Sequence, residues 1–141
     1  MDSTIVKQRI RNRQIEWLEM AVVPEDAASM GWYEFVNLWD DVSPKTCFLC
    51  MTEPVFTKDE MSQLDRIEEL VTALANDPSE DTNDPEWLKS NQLYDALRRQ
   101  AGIALLECMK RGRFDEEIKQ FDVPSEDWPD PFRSQPNGSG T

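Results

Sequence analysis

Cys47-Phe48-Leu49-Cys50 is the motif in this chain with a named chemistry. A C-x-x-C pair serves as a dithiol redox centre or as half of a zinc site. The redox use wants its first cysteine at a helix N-terminus, where the thiolate is stabilised. Here the pair follows Pro44-Lys45-Thr46, with no βαβ pattern around it. Structural zinc wants four ligands. Cys108 is the one cysteine left over, and the chain has no histidine. Free cysteine ranks among the most buried residue types. All three thiols therefore read as reduced packing residues, with Cys108 set among Leu105, Leu106 and Met109. No metal and no cofactor is expected.

Without histidine there is no Ser-His or Cys-His pair and no imidazole proton shuttle. Acidic pairs are frequent: Asp40/Asp41, Glu68/Glu69, Glu116/Glu117 and the Asp77/Glu80/Asp81/Asp84 loop. Paired carboxylates become an acid and a base only when a pocket splits their pKa values, and solvated runs of acids give no such split. The loop from Asp77 lacks the glycine at position 6 and the glutamate at position 12 of an EF-hand. No G-x-G-x-x-G, Walker A or G-x-S-x-G sequence occurs. These absences argue against an enzyme.

The segment from Trp32 to Asp41 points instead to recognition. Trp32, Phe35, Val36 and Trp39 recur at i, i+3, i+4, i+7 and mark the buried face of a helix. Tyr33 then falls on the opposite side, with Glu34, Asp40 and Asp41 nearby. A tyrosine among carboxylates is a common anchor for a basic partner. The expected contact set is Tyr33, Glu34, Asp40, Asp41, Glu68, Glu69, Asp77, Glu80, Asp81 and Asp84.

Charge supports that direction. The 141 residues hold 28 acidic and 15 basic side chains, for a net charge of −13. Residues 14–97 carry 19 acids against 4 bases, whereas Lys7, Arg9, Arg11 and Arg13 precede them and Arg98, Arg99, Lys110, Arg111 and Arg113 follow. The early arginines are spaced round a helix rather than along one stripe, and pairing with the protein's own acids is their expected role. Direct nucleic-acid binding is not expected, because a phosphate backbone needs a basic footprint. No apolar run approaches the ~18 residues of a membrane span. No signal-peptide h-region is visible at the start, so a cytoplasmic location is expected. Five tryptophans and six phenylalanines argue for a packed core despite the charge.

The elements that must position these residues are helical. Apolar spacing predicts helices over residues 4–22 and 25–42, the latter with Ser29 as a cap for its main part. An irregular or short extended piece covers 45–56. Thr57 and Glu60 have capping-box spacing, with Phe56 and Met61 as the hydrophobic staple, and open a helix to about Ala75. Asp84 and Pro85 open another that runs to about Arg111, closed by Gly112. Gly102 within it suggests close approach of a neighbouring helix. Residues 115–121 read as a final turn or two that bury Ile118 and Phe121.

The fold class is thus all-α: a compact bundle of about four to five helices over residues 1–122. An extended Pro-rich acidic tail over 123–133 would either drape over the body, anchored by Trp128 and Phe132, or stay free as a linear peptide, and 134–141 form a disordered terminus. In size and acidity, and in no motif, the chain resembles the immunity proteins that bacteria hold against toxins, and nucleic-acid-mimic inhibitors. That resemblance implies a basic protein partner such as a toxin, a nuclease or another nucleic-acid-handling protein. A helical adaptor, or an accessory subunit of a larger complex, is the alternative.

Overall fold

One glycine and one asparagine divide what hydrophobic periodicity reads as two long helices. The computed structural model describes residues 3–77 and 84–120. The described residues form six helices and no strand: α1 (Ser3–Ala21), α2 (Pro24–Met30), α3 (Trp32–Val42), α4 (Lys58–Ala75), α5 (Pro85–Ser90) and α6 (Gln92–Met109). The all-α expectation holds, with six helices in place of four to five. Gly31 takes φ 94°, a left-handed conformation open to glycine, and turns the chain between α2 and α3. Ser29 does not cap α3; its hydroxyl donates back to the Glu25 carbonyl at 2.5 Å. Asn91 ends α5 and caps α6, its Oδ1 accepting from the Leu93 and Tyr94 N–H groups at 2.8 and 3.2 Å. The Thr57/Glu60 capping box forms in both directions, at 3.1 and 2.9 Å.

An aromatic cluster joins the helices. Trp17 of α1 stacks on Phe35 of α3, with ring centroids 4.6 Å apart, and lies 4.7 Å from Trp39. Phe35 meets Tyr94 of α6 edge-on at 6.4 Å, and Trp32 meets Trp87 of α5 at 5.7 Å. The polar tips of Trp17 and Tyr94 are satisfied, as buried indole and phenol groups require. Trp17 Nε1 donates to the Phe35 carbonyl at 2.9 Å and the Tyr94 hydroxyl to the Ala21 carbonyl at 2.8 Å. Burial pushes the Tyr94 phenol up to about 12.

α1 packs through polar as well as apolar side chains. It buries Ile5, Ile15, Trp17, Leu18 and Ala21, and also Gln8, Arg11, Asn12 and Gln14. Arg11 and Glu60 are each 1% exposed, with Arg11 Nη1 and Glu60 Oε1 2.7 Å apart in an ion pair. Arg11 Nη2 donates to the Cys108 and Gly112 carbonyls at 2.8 and 3.1 Å. Arg111 reaches the same Glu60 oxygen at 2.8 Å and donates to the Pro54 and Val55 carbonyls. The Phe114 ring receives both guanidinium groups, at 4.8 and 5.0 Å. One carboxylate and two guanidinium groups thus tie α1, the end of α6, the start of α4 and the loop before α4.

Beyond Gly112, which takes φ 77°, the chain crosses back over α1 without forming a helix. The expected final turns over 115–121 are not there: residues 113–120 are irregular, Ile118 is 66% exposed and Phe121 lies outside the described residues. Phe114 is the buried anchor instead. The reason is that α1 side chains hold this backbone directly. Gln8 Nε2 donates to the Asp115 and Ile118 carbonyls at 2.7 and 2.8 Å, Gln8 Oε1 accepts from the Gln120 N–H, and Asn12 pairs with both backbone groups of Phe114. The expected tail over 123–133 and terminus over 134–141 also lie outside the described residues.

Gly102 does not mark a close helix approach. A Cβ added there would meet, as its nearest neighbour, Val22 Cγ1 at 4.0 Å, which is ordinary contact. Gly102→Ala should therefore stabilise the fold by ~0.5–1 kcal/mol through helix propensity. Urea unfolding of the variant checks this, and a loss of stability would refute the open geometry.

Candidate protein-interaction surface

Helix α3 is fixed on one side and open on the other. Trp32, Phe35 and Trp39 are buried in the aromatic cluster, as their spacing predicts. The outer face presents Tyr33, 72% exposed, with Glu34, Leu38, Asp40 and Asp41. Asp40 and Asp41 close the helix, where the dipole disfavours negative charge. Their placement is explained by no local stabilisation, so it leaves acids concentrated at one end of the ridge.

A groove flanks α3 on either side. Towards α1, Trp17, Met20, Met30, Leu38 and Val42 form an apolar trough of about 370 Å³, rimmed by Arg13, Glu16 and Asp41. Towards α4, Val36, Asp40, Ser43, Lys45, Glu68, Val71 and Thr72 line a more polar groove of about 500 Å³. Two methionines in the first trough give it adaptable walls.

Across the second groove the acids interact. Trp39 Nε1 donates to Glu68 Oε1 at 3.0 Å, and Thr72 Oγ1 donates to Glu68 Oε2 at 3.2 Å, so Glu68 is held in place. Asp40 is raised above the usual carboxylate range by partial burial, then by Glu68 and Asp41, with Lys45 opposing. Asp65 is raised by partial burial, then by Glu69 and Glu68. Glu68 is thus the common neighbour of an acidic face that spans α3 and α4.

A raised carboxyl pKa means that the native state binds the proton more tightly than the unfolded chain. Partial burial and, after it, repulsion cost stability above the folded pKa, and the cost is relieved as pH falls through it. Asp65→Asn should therefore raise stability at neutral pH by a few tenths of a kcal/mol, discounted for solvent screening. The gain should shrink in high salt and at acid pH. Thermal melts at two pH values and two salt concentrations test this, and destabilisation at neutral pH and low salt would contradict it.

The ten residues expected at the interface divide by environment. Tyr33, Glu34, Asp40, Asp41 and Glu69 are exposed, with Asp40 on the groove towards α4 and Asp41 on the trough towards α1. Glu68 is half-buried and engaged. Asp77 accepts from Asn91 Nδ2 at 2.8 Å, linking the end of α4 to the α6 cap. Asp84 caps α5, accepting from the Glu86 N–H at 2.9 Å. Glu80 and Asp81 lie outside the described residues. Sequence reasoning missed Leu38, Glu16 and Asp65. Leu38 gave a signal, being a large apolar residue off the buried stripe.

The basic groups are largely engaged within the fold. Arg13 pairs with Glu16 and Glu116 at 2.5 and 2.7 Å. Arg98 and Arg99 both pair with Asp95, Lys110 with Glu107 and Arg113 with Glu19. Among the described residues, no group of three or more Cys, Asp or Glu side chains could hold a metal ion. No described helix is long and apolar enough to cross a membrane. No protein-family model, curated protein or solved structure matches this chain.

Proposed function

We infer that this is a small acidic binding protein that captures a basic protein and covers its functional surface. The observation carrying this reading is the α3 ridge: an exposed tyrosine among carboxylates, on a helix anchored by three buried aromatics. Anchoring matters because a preorganised contact helix loses little entropy on binding. The negative field of the α3–α4 face would steer a cationic partner and speed association. Tyr33 supplies the central anchor, Glu34, Asp40, Asp41 and Glu69 pair with lysine or arginine, and the trough beside Leu38 takes an apolar side chain of the partner. Arg11, Arg13, Arg98, Arg99, Arg111 and Arg113 are paired with acids of the same chain, which favours a protein target. Catalysis has no part in this reading.

The test is capture from the native host's lysate, with washes at low and high salt, followed by mass spectrometry. One basic protein, held at low salt and weakened at high salt, is the expected result. Asp40→Lys together with Asp41→Lys should abolish that capture, and unchanged capture would overturn the reading. Ile103 and Leu106 favour a second reading, since both are exposed on α6 within one turn. They would suit an accessory subunit, and a salt-resistant neutral assembly recovered in the same experiment would support it.

A further inference from the structure

Cys47 and Cys50 are not the buried packing residues that their apolar neighbours suggest. Both are half-buried, and Phe48 and Leu49 between them are 65% and 76% exposed. The run Ser43 to Thr52 folds as consecutive tight turns. Cys47 N–H donates to the Ser43 carbonyl at 2.8 Å, Cys50 N–H to the Cys47 carbonyl at 2.8 Å and Thr52 N–H to the Cys50 carbonyl at 3.1 Å. The two cysteines are therefore the first and last residues of one hydrogen-bonded β-turn. Such a turn keeps its end Cα atoms within about 7 Å, next to the range a disulfide spans, about 4.4–6.8 Å.

We propose that Cys47 and Cys50 form a reversible disulfide that staples this turn when the protein meets a hydroperoxide. The Cys50 thiolate attacks the peroxide oxygen, the O–O bond breaks, and Cys50 becomes a sulfenic acid as hydroxide leaves and takes a proton to become water. Cys47 sulfur then attacks Cys50 sulfur and displaces hydroxide, which takes the Cys47 proton and leaves as a second water. In sum, two thiols and one hydrogen peroxide give one disulfide and two waters. Cys47 suits the second role. Partial burial, then Cys50 and Asp41, hold its thiol above the usual range, which disfavours it as the first nucleophile towards the peroxide. Cys108 stays out of this chemistry, since it is 2% exposed within the bundle.

The site is also wired to α3. Cys47 Sγ lies 3.6 Å from the Asp41 carbonyl and donates to it. A disulfide has no S–H, so oxidation removes this bond at the acidic end of the ridge. The inference stands independently of what the protein binds.

The experiment treats the folded full chain with hydrogen peroxide, alkylates it in denaturant and maps the peptides by mass spectrometry. The wild type should show one alkylated cysteine, Cys108, and a linked 47–50 pair short of two hydrogens. Dithiothreitol should restore three alkylated thiols. Cys47→Ser should instead accumulate sulfenic acid at Cys50, trapped by dimedone. NMR shifts of residues 40–42 should move on oxidation of the wild type and not of Cys47→Ser. Three free thiols after treatment, or stepwise over-oxidation of both cysteines with no linked peptide, would overturn the proposal. Because the wild-type map alone decides between these, a variant that fails to fold does not blunt the test.

Discussion

Glu60→Ala should cost about 3–5 kcal/mol of stability, the penalty for breaking a buried ion pair by removing one partner. Glu60 does three jobs with one carboxylate. It caps α4 through the Thr57 N–H, and it meets both Arg11 and Arg111. Removing it leaves two guanidinium groups on the Phe114 ring with no counter-charge. The carbonyls of Pro54, Val55, Cys108 and Gly112 still accept from them, but neutral acceptors do not replace a carboxylate. Arg11 Nε makes no hydrogen bond among the described residues, so this cation already depends on charge compensation. Glu60→Gln should fall between, because the amide oxygen can keep the cap while the charge is lost. Arg11→Met in the Glu60→Ala background should recover part of the loss, since it removes the stranded cation. Denaturant melts of the wild type, Glu60→Ala, Arg11→Met and the double variant measure the coupling as a double-mutant cycle, with Glu60→Gln melted alongside. A loss below about 1 kcal/mol for Glu60→Ala would place it with exposed pairs and contradict the burial described above.

Tyr33→Ala should weaken partner binding by about 2 kcal/mol, roughly thirtyfold, the scale of an interface hot spot. Its thermal midpoint should stay near wild type, because the side chain is exposed and supports no other element. Asp41→Lys should act differently, slowing association and flattening the salt dependence. Glu68→Ala is the contrast. It should lower stability as well as binding, since it strands the Trp39 indole N–H. Titration calorimetry with the captured partner, paired with thermal melts, separates the three patterns. Unchanged affinity for Tyr33→Ala would remove α3 as the recognition element.

The parts of the fold readable in the sequence were those set by neighbours close in the chain. The capping box at Thr57, the Asp84-Pro85 start and the buried stripe Trp32, Phe35, Trp39 are all local patterns, and each is found as expected. The breaks at Gly31 and Asn91 were obscured because apolar spacing continues across a one-residue interruption. Ser90-Asn91 did carry a readable cap signal. Arg11 could not be singled out from Arg9 and Arg13, because its burial depends on Glu60, 49 residues on, and on carbonyls at the far end of the chain. The same reasoning applies to the surface. Tyr33 was legible because the core stripe excludes it, whereas the trough beside Leu38 exists only where α1, α2 and α3 meet. The Cys47–Cys50 run misled because apolar composition does not distinguish a buried strand from a turn with an exposed apolar tip.

The way α1 holds residues 112–120 has a consequence for which substitutions the chain can absorb. Gln8, Arg9, Arg11 and Asn12 grip main-chain atoms there, including the carbonyls of Gly112, Phe114, Asp115, Glu116 and Ile118. Main-chain atoms are the same whatever side chain they carry. The clasp therefore reads the path of this segment and not its spelling. Apart from Phe114, the glycine turn and Glu116, whose carboxylate accepts from Asn12 and pairs with Arg13, substitutions in this stretch should leave the strap in place. The letters of α1 that do the holding cannot drift so freely, although they are polar and would pass for surface residues in a sequence.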